Sequence, residues 1–292
     1  MALQPGSAVG FIGIGVMGKS MAGNLLEAGY KLHVYTRTPE KAEELVSRGA
    51  VWHDSPAALA EVCDAVLTMV GYPKDVEEIY LGERGLIAHA KQGAYLIDMT
   101  TSSPLLAGRI YEAAAERGLH ALDAPVSGGD VGARERRLSI MVGGGEEAFA
   151  AVRPLLETMG TNIVLQGEAG AGQHTKMCNQ IAIASNMLGV CEALAYAQAS
   201  GLEPQKVLKS IETGAAGSWS LSNLAPRIID GNYEPGFYIK HFIKDMGIAL
   251  EAAKEMKLEL PGLALAESIY RRLADQGYAE KGTQALYKAY RE

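Results

Sequence analysis

"GFIGIGVMGKSMAGNLLEAGY", Gly10–Tyr30, decides how the first half of the chain is read. An apolar run ends in GxGxxG, formed by Gly13, Gly15 and Gly18, and passes into a segment whose Met17, Met21, Leu25 and Ala28 share a helical face. With 34 glycines in the chain the pattern alone is weak, and the bland alternative is a glycine turn in an unrelated α/β protein. The strand before it and the helix after it supply the missing context. A strand–turn–helix holding a dinucleotide needs a first glycine for the tight turn and a second for close backbone approach to a pyrophosphate. It needs a third so that helix packs on strand, and it places the negative charge at the helix N-terminus. The whole turn, Gly13, Ile14, Gly15, Val16, Met17 and Gly18, is the expected phosphate cradle.

A site that prefers NAD usually carries Asp or Glu about 20 residues further on, bonded to the ribose 2′-hydroxyl. The second strand here ends in "VYTRTPEK", which puts Thr36 at that position, followed by Arg37, Thr38 and Lys41. A planar guanidinium suits a phosphate because it donates two parallel charge-assisted hydrogen bonds. NADP(H) is therefore the expected cofactor and NAD(H) the alternative. The competing account of Arg37 and Lys41 is that they begin a solvated helix.

Outward from this turn, apolar runs at 8–14, 31–36, 64–70, 94–99 and 119–125 alternate with helix-like segments, as βαβ units of a parallel sheet do. One such segment, "PEKAEELVSRG", opens on proline and closes on Gly49. Runs at 138–144 and 162–167 flank a helix around "EEAFAAVRPLLETMG" and extend the sheet. After Gly167 the strands stop. Residues 172–201 form a helix of roughly 40 Å at 1.5 Å per residue, and shorter helices follow, divided by glycine and proline. The expected fold is α/β: a Rossmann-type domain over 1–167, then an all-α domain over 168–292, joined by the long helix.

With 292 residues, 48% of them hydrophobic, the chain can bury two cores. A net charge of −7 argues against nucleic acid and against anionic membrane as partners. Three cysteines without a CxxC pair suggest neither a disulfide framework nor a metal site. The first residues lack a signal-peptide pattern, and no apolar run reaches roughly 18 residues, so a cytoplasmic protein is expected.

Four stretches in order, "GFIGIGVMGKSMAGNLLEAG", "DAPVSGG", "GAGQHTKMCNQ" and "FIKDMGIAL", are similar to the β-hydroxyacid dehydrogenase family. The family includes 3-hydroxyisobutyrate dehydrogenase and tartronate semialdehyde reductase, and the resemblance spans nearly the whole chain. By itself, "DAPVSGG" offers the Ser127 hydroxyl and the N–H groups of Gly128 and Gly129 as a nest for a carboxylate, or else a plain turn. The resemblance implies the first: this loop would hold the carboxylate of a small substrate. It also implies Lys176 as the catalytic lysine. As hydride reaches an aldehyde carbon its oxygen becomes an alkoxide, and a buried ammonium can supply both charge and proton.

Gln180 lies four residues after Lys176, where many members have asparagine, and Asn179 precedes it. The amide that would orient the substrate is one of these two. The resemblance further implies Lys244 and Thr101 beside the nicotinamide, with Phe237 and Asp245 lining the pocket; Thr101 could instead cap a helix. His174 is the rival base, and it projects from another helix face. Cys178 is expected in the core, and Trp219 in the pocket or in helix packing. An imine reductase of the same architecture is an alternative, although such members usually lack the lysine. A catalytically silent dinucleotide-binding scaffold is another. Finally, Ile181, Ile183, Met187, Leu188 and Leu194 make the long helix apolar over much of its circumference. Its small residues Ala182, Ser185, Gly189 and Ala193 would admit a close neighbour. A homodimer or homotetramer built through the second domain is expected, as in the related enzymes.

Overall fold

The computed structural model describes residues 2–291. It divides into two compact units, Met1–Lys176 and Met177–Glu292. Among the described residues of the first, nine strands form one sheet: β1 Ala8–Ile12, β2 Lys31–Tyr35, β3 Val51–Trp52, β4 Ala65–Thr68, β5 Tyr95–Asp98, β6 His120–Asp123, β7 Val126–Ser127, β8 Leu138–Gly143 and β9 Gly160–Gly167. Their order is β3-β2-β1-β4-β5-β6-β8-β7, with β9 paired to β8.

The first six are parallel. Helices cover both faces of such a sheet, so its central strands read as unbroken apolar runs; all four residues of β4 are buried. The chain passes from β1 to β2 on one side and later to β4 on the other. The end of β1 is thus the switch point of the sheet, where open α/β sheets bind ligands. β8 runs antiparallel to β6 and β7, while β9 lies parallel to β8 after the crossover helix Glu146–Leu156.

The predicted α/β organisation holds, with two strands added. β3 and β7 have two residues each, too few to display a period. The segment after β2 is a 3₁₀ turn, Pro39–Ala42, followed by the helix Glu43–Ser47. Gly49 takes φ +106°, the left-handed conformation that ends it.

The second unit is helical, and among the described residues no strand follows Gly167. Its core gathers Met187, Cys191 and Leu194 of the long helix, Phe242 and Met246 of the helix Ile239–Glu255, and Tyr270 of the helix Pro261–Leu273. The rings of Phe242 and Tyr270 meet edge to face at 5.2 Å, and the buried Tyr270 hydroxyl donates to the Thr283 carbonyl at 2.8 Å. The long helix itself runs Ala171–Ala199.

Cys178 is a correction: it is exposed, not core. The buried stripe of the long helix runs through Gln173, Met177, Gln180, Ala184, Met187, Cys191 and Leu194. At 3.6 residues per turn Cys178 falls with His174, Ala182 and Ser185 on the opposite, exposed side. A one-residue offset from Met177 was enough to misplace it.

Candidate active site

The glycine turn follows β1 in the first unit. Gly13 has φ +98°, and a side chain there would run into the Met69 carbonyl. A Cβ on Gly18 would overlap the Gly13 carbonyl and press on Phe11 at 3.1 Å, so the helix Val16–Glu27 can start this close only with glycine at 18. Gly15 differs in kind. A Cβ there would meet no protein atom within 4 Å, and Gly15 is the residue that opens the helix N-terminus. No side chain caps that helix, and no acidic residue occupies its first turn. Its N–H groups are thus left for an anion, and the turn fits a pyrophosphate. The Ile14 side chain is buried in the core, while Val16 is exposed and Met17 half-buried.

At the end of β2, Thr36 is buried and Arg37, Thr38 and Lys41 are exposed. The guanidinium of Arg37 rests 3.1 Å from the Asp75 carboxylate, with its side chain 78% exposed. An ion pair this open to water costs little to exchange for another anion.

The ends of β4 and β5 hold polar groups that the sequence reading did not single out. Thr68 donates to Asp98 Oδ1 at 2.8 Å and also meets the Tyr80 hydroxyl at 2.9 Å. The Thr100 N–H reaches the same Asp98 oxygen at 3.0 Å, and the Thr100 hydroxyl accepts the Val70 N–H at 3.0 Å. Burial pushes the Asp98 carboxyl up to about 6, against these hydrogen bonds, and Asp123, its partner across β5 and β6, adds to the rise. Thr101 follows, half-buried. It does not cap the next helix, which begins at Pro104 with Ser103 in that place.

After β6 the chain enters the Ser127–Gly129 loop. Ser127 pairs with Ser139 across β7 and β8. Gly128 and Gly129 have φ +133° and +64°, conformations that favour glycine, and both are exposed. The first unit ends with Lys176, which is buried, whereas His174 is exposed.

In the second unit, Gln180 is buried one turn beyond Lys176 along the long helix. Its amide accepts from Asn179 Nδ2 at 2.7 Å and donates to Asp245 Oδ2 at 2.6 Å. Lys244 Nζ lies 2.9 Å from Asp245 Oδ1, both side chains largely buried. Asn179, Gln180, Asp245 and Lys244 are thus one chain of contacts. His241 belongs to the same helix; burial, then Lys244 and Lys240, hold its imidazole below the usual range. Phe237 is 36% exposed with its ring 5.6 Å from Phe242, and Trp219 is 66% exposed. Periodicity could not reveal the Asp245–Gln180 contact, since 65 residues separate the partners.

Residues 8–167 match the NAD binding domain of 6-phosphogluconate dehydrogenase, and residues 170–290 match the NAD-binding domain of NADP-dependent 3-hydroxyisobutyrate dehydrogenase. The chain belongs to the β-hydroxyacid dehydrogenase family. It is a nicotinamide-dinucleotide-dependent oxidoreductase of the 3-hydroxyisobutyrate dehydrogenase type. An uncharacterised oxidoreductase of Bacillus subtilis, YkwC, is 64% identical over 97% of this dehydrogenase and 98% of its own length. The 2-hydroxy-3-oxopropionate reductase of Escherichia coli is 41% identical over 96% of each chain. The structure of Mycobacterium tuberculosis 3-hydroxyisobutyrate dehydrogenase with L-serine superposes with a TM-score of 0.91 at 29% identity, covering 98% of this chain and 100% of that one. Among the described residues of the dehydrogenase no group of three or more His, Cys, Asp or Glu could hold a metal ion, and no helix is long and apolar enough to cross a membrane.

The raised Asp98 carboxyl has a consequence for stability. A carboxyl whose folded value lies above its unfolded one favours folding at low pH, and that contribution fades as pH rises from about 4 to about 6. Asp98→Asn keeps an acceptor for Thr68 and Thr100 but removes the titration. Its unfolding free energy relative to wild type should therefore rise by about 2 kcal/mol across this window. Urea unfolding at several pH values checks this; a pH-independent difference would refute the assignment.

Proposed function

We propose that this dehydrogenase interconverts a small β-hydroxy acid and its semialdehyde, with NADP(H) preferred and NAD(H) as the alternative. The observation that carries the proposal is Lys176: a buried ammonium on the long helix, one turn before the amide of Gln180. Family membership supports the substrate class. The Escherichia coli relative is named for the reduction of 2-hydroxy-3-oxopropionate, and L-serine, present in the Mycobacterium tuberculosis structure, is itself a β-hydroxy acid. Lys176 also weighs against an imine reductase and against a silent scaffold.

In this reading, residues 1–167 bind the dinucleotide and 168–292 complete the substrate site and the assembly. Gly13, Gly15 and Gly18, with the backbone of Ile14, Val16 and Met17, hold the pyrophosphate. Thr36, Arg37, Thr38 and Lys41 read the ribose end. Thr101 and Lys244 lie by the nicotinamide, which when bound supplies or takes the hydride. Ser127, Gly128 and Gly129 hold the substrate carboxylate. The Lys176 ammonium faces the carbonyl oxygen, stabilises the negative charge growing there and gives it a proton; in the reverse direction the neutral amine removes that proton. Asn179 is the amide that meets substrate, because the carbonyl and one N–H of Gln180 are engaged by Asn179 and Asp245. Phe237 and Asp245 line the pocket, and Asp245 holds Lys244 in place.

We further propose a homo-oligomer, dimer or tetramer, built through the second domain. Met187, Leu188 and Leu194 are buried in that unit's own core, with Ile181 and Ile183 packed half-buried against it. On the exposed side of the long helix the small residues Ala182, Ser185 and Gly189 border an open groove of about 480 Å³ with Ile211 and Leu221 on its other side.

Three measurements check these proposals. Lys176→Ala should lower kcat on the order of 10²–10⁴-fold with the NADPH affinity unchanged, and a loss under about tenfold would remove the lysine from the chemistry. Arg37→Ala should weaken NADPH by about 1.5–3 kcal/mol and NADH little; equal losses would show that it does not read a 2′-phosphate. Light scattering should give a multiple of 31.0 kDa, and a concentration-independent mass of a single chain would refute assembly.

A further inference from the structure

The start of the long helix is fastened to the sheet by two buried side chains, Asp123 and Gln173, to which the proposed reaction assigns no role. Asp123, the last residue of β6, accepts the Gly170 N–H on Oδ1 and the Gln173 N–H on Oδ2, each at 2.7 Å. The fit is tight. A Cβ on Gly172 would lie 2.8 Å from Asp123 Oδ2 and 2.7 Å from the Asp123 carbonyl, and one on Gly143 would meet the Gly172 nitrogen at 2.8 Å. The fully buried Gln173 amide then reaches the loop after β5. Its Nε2 donates to the Thr100 carbonyl at 2.7 Å, and its Oε1 accepts the Ser102 N–H at 2.9 Å. These two backbone groups flank Thr101, so one amide grips the chain on both sides of that residue. Lys176 is three residues on from Gln173, its neighbour along the helix surface.

We propose that Gln173 is a positioning residue: its amide, anchored through Asp123, holds Thr101 in fixed register with the helix turn that carries Lys176. Both oxygens of Asp123 are committed to the helix and both ends of the Gln173 amide to the loop, so neither side chain is left to touch substrate. Their effect passes through Lys176 and Thr101, and the inference rests on the roles proposed for those two.

Glutamate at 173 separates positioning from mere structure. Ionised, it can accept from Ser102 but sets a negative oxygen against the Thr100 carbonyl. Protonated, it donates to Thr100 and restores the grip. Burial favours the protonated form, so the restoration grows as pH falls.

The test compares kcat, KM and NADPH Kd for wild type, Gln173→Leu, Gln173→Glu and Lys176→Ala, with a semialdehyde such as succinic semialdehyde as substrate. The expected result is a kcat about 10- to 100-fold below wild type for Gln173→Leu, with NADPH Kd within about twofold, as misplacement by a fraction of an ångström to 1 Å produces. Gln173→Glu should show a similar loss at about pH 8 and recover towards wild type, measured at the same pH, by about pH 6. Gln173 variants within about twofold of wild-type kcat at every pH, beside an inactive Lys176→Ala, would overturn the positioning role and leave the catalytic lysine standing. A Gln173→Glu protein that loses NADPH binding and activity alike, with no recovery at low pH, would also overturn it, since that residue would then serve folding only. An active Lys176→Ala would remove the reading on which the inference rests, and the inference with it.

Discussion

A carboxylate taken out of water must find donors or remain a heavy cost, and Asp123 finds them in the first turns of the long helix. That junction is the constraint on which the rest of the first unit depends. It explains why glycine stands at 143 and 172, where any side chain would part helix from strand. It also explains why "GAGQHTK" begins the helix: Gly170 and Gln173 give their N–H groups to one carboxylate, and Gln173 turns its amide to the loop carrying Thr101. Burial raises the Asp123 carboxyl while the helix N–H groups lower it, a balance that few solvated carboxylates face.

The same trade recurs at the ends of β4 and β5. Thr68, Tyr80, Asp98 and Thr100 spend their polar groups on one another, so that strands ending at the switch point carry polar groups without opening the core to water. In the second unit the motif repeats with opposite charge: Lys244 is kept largely buried because Asp245 stands 2.9 Å away, and Gln180 takes the remaining carboxylate oxygen. A chain of net charge −7 thereby keeps a largely buried cation beside its counter-charge.

The α/β organisation was legible because the strands of a sheet covered on both faces are apolar runs, and five of them precede Ala124 in this chain. β3 and β7 were not, since two residues have no period. Gly13 and Gly18 could be read from spacing and were then accounted for by contacts with the Met69 and Gly13 carbonyls. Cys178 was misread because residues adjacent on a helix differ by 100° in direction, and only the packed structure shows which one turns inward. Lys176, Lys244 and Asp245 came from resemblance, not from any local pattern. Gln173 lay within a quoted motif and Asp98 within the apolar run 94–99, yet both went unmarked, because nothing in a linear string states that a glutamine will be buried beside a backbone 73 residues away.

Local chemistry, then, is what the sequence determined alone: where strands and helices run, where a left-handed glycine is required, and which residue types could receive phosphate, carboxylate or a growing alkoxide. Each follows from covalent structure and short-range periodicity. Tertiary structure alone decided how those groups are paired. Asp123 came to the helix start, Gln173 to the Thr101 loop and Gln180 to Asp245 because burial removes water as a partner and forces each polar group to find another across the fold.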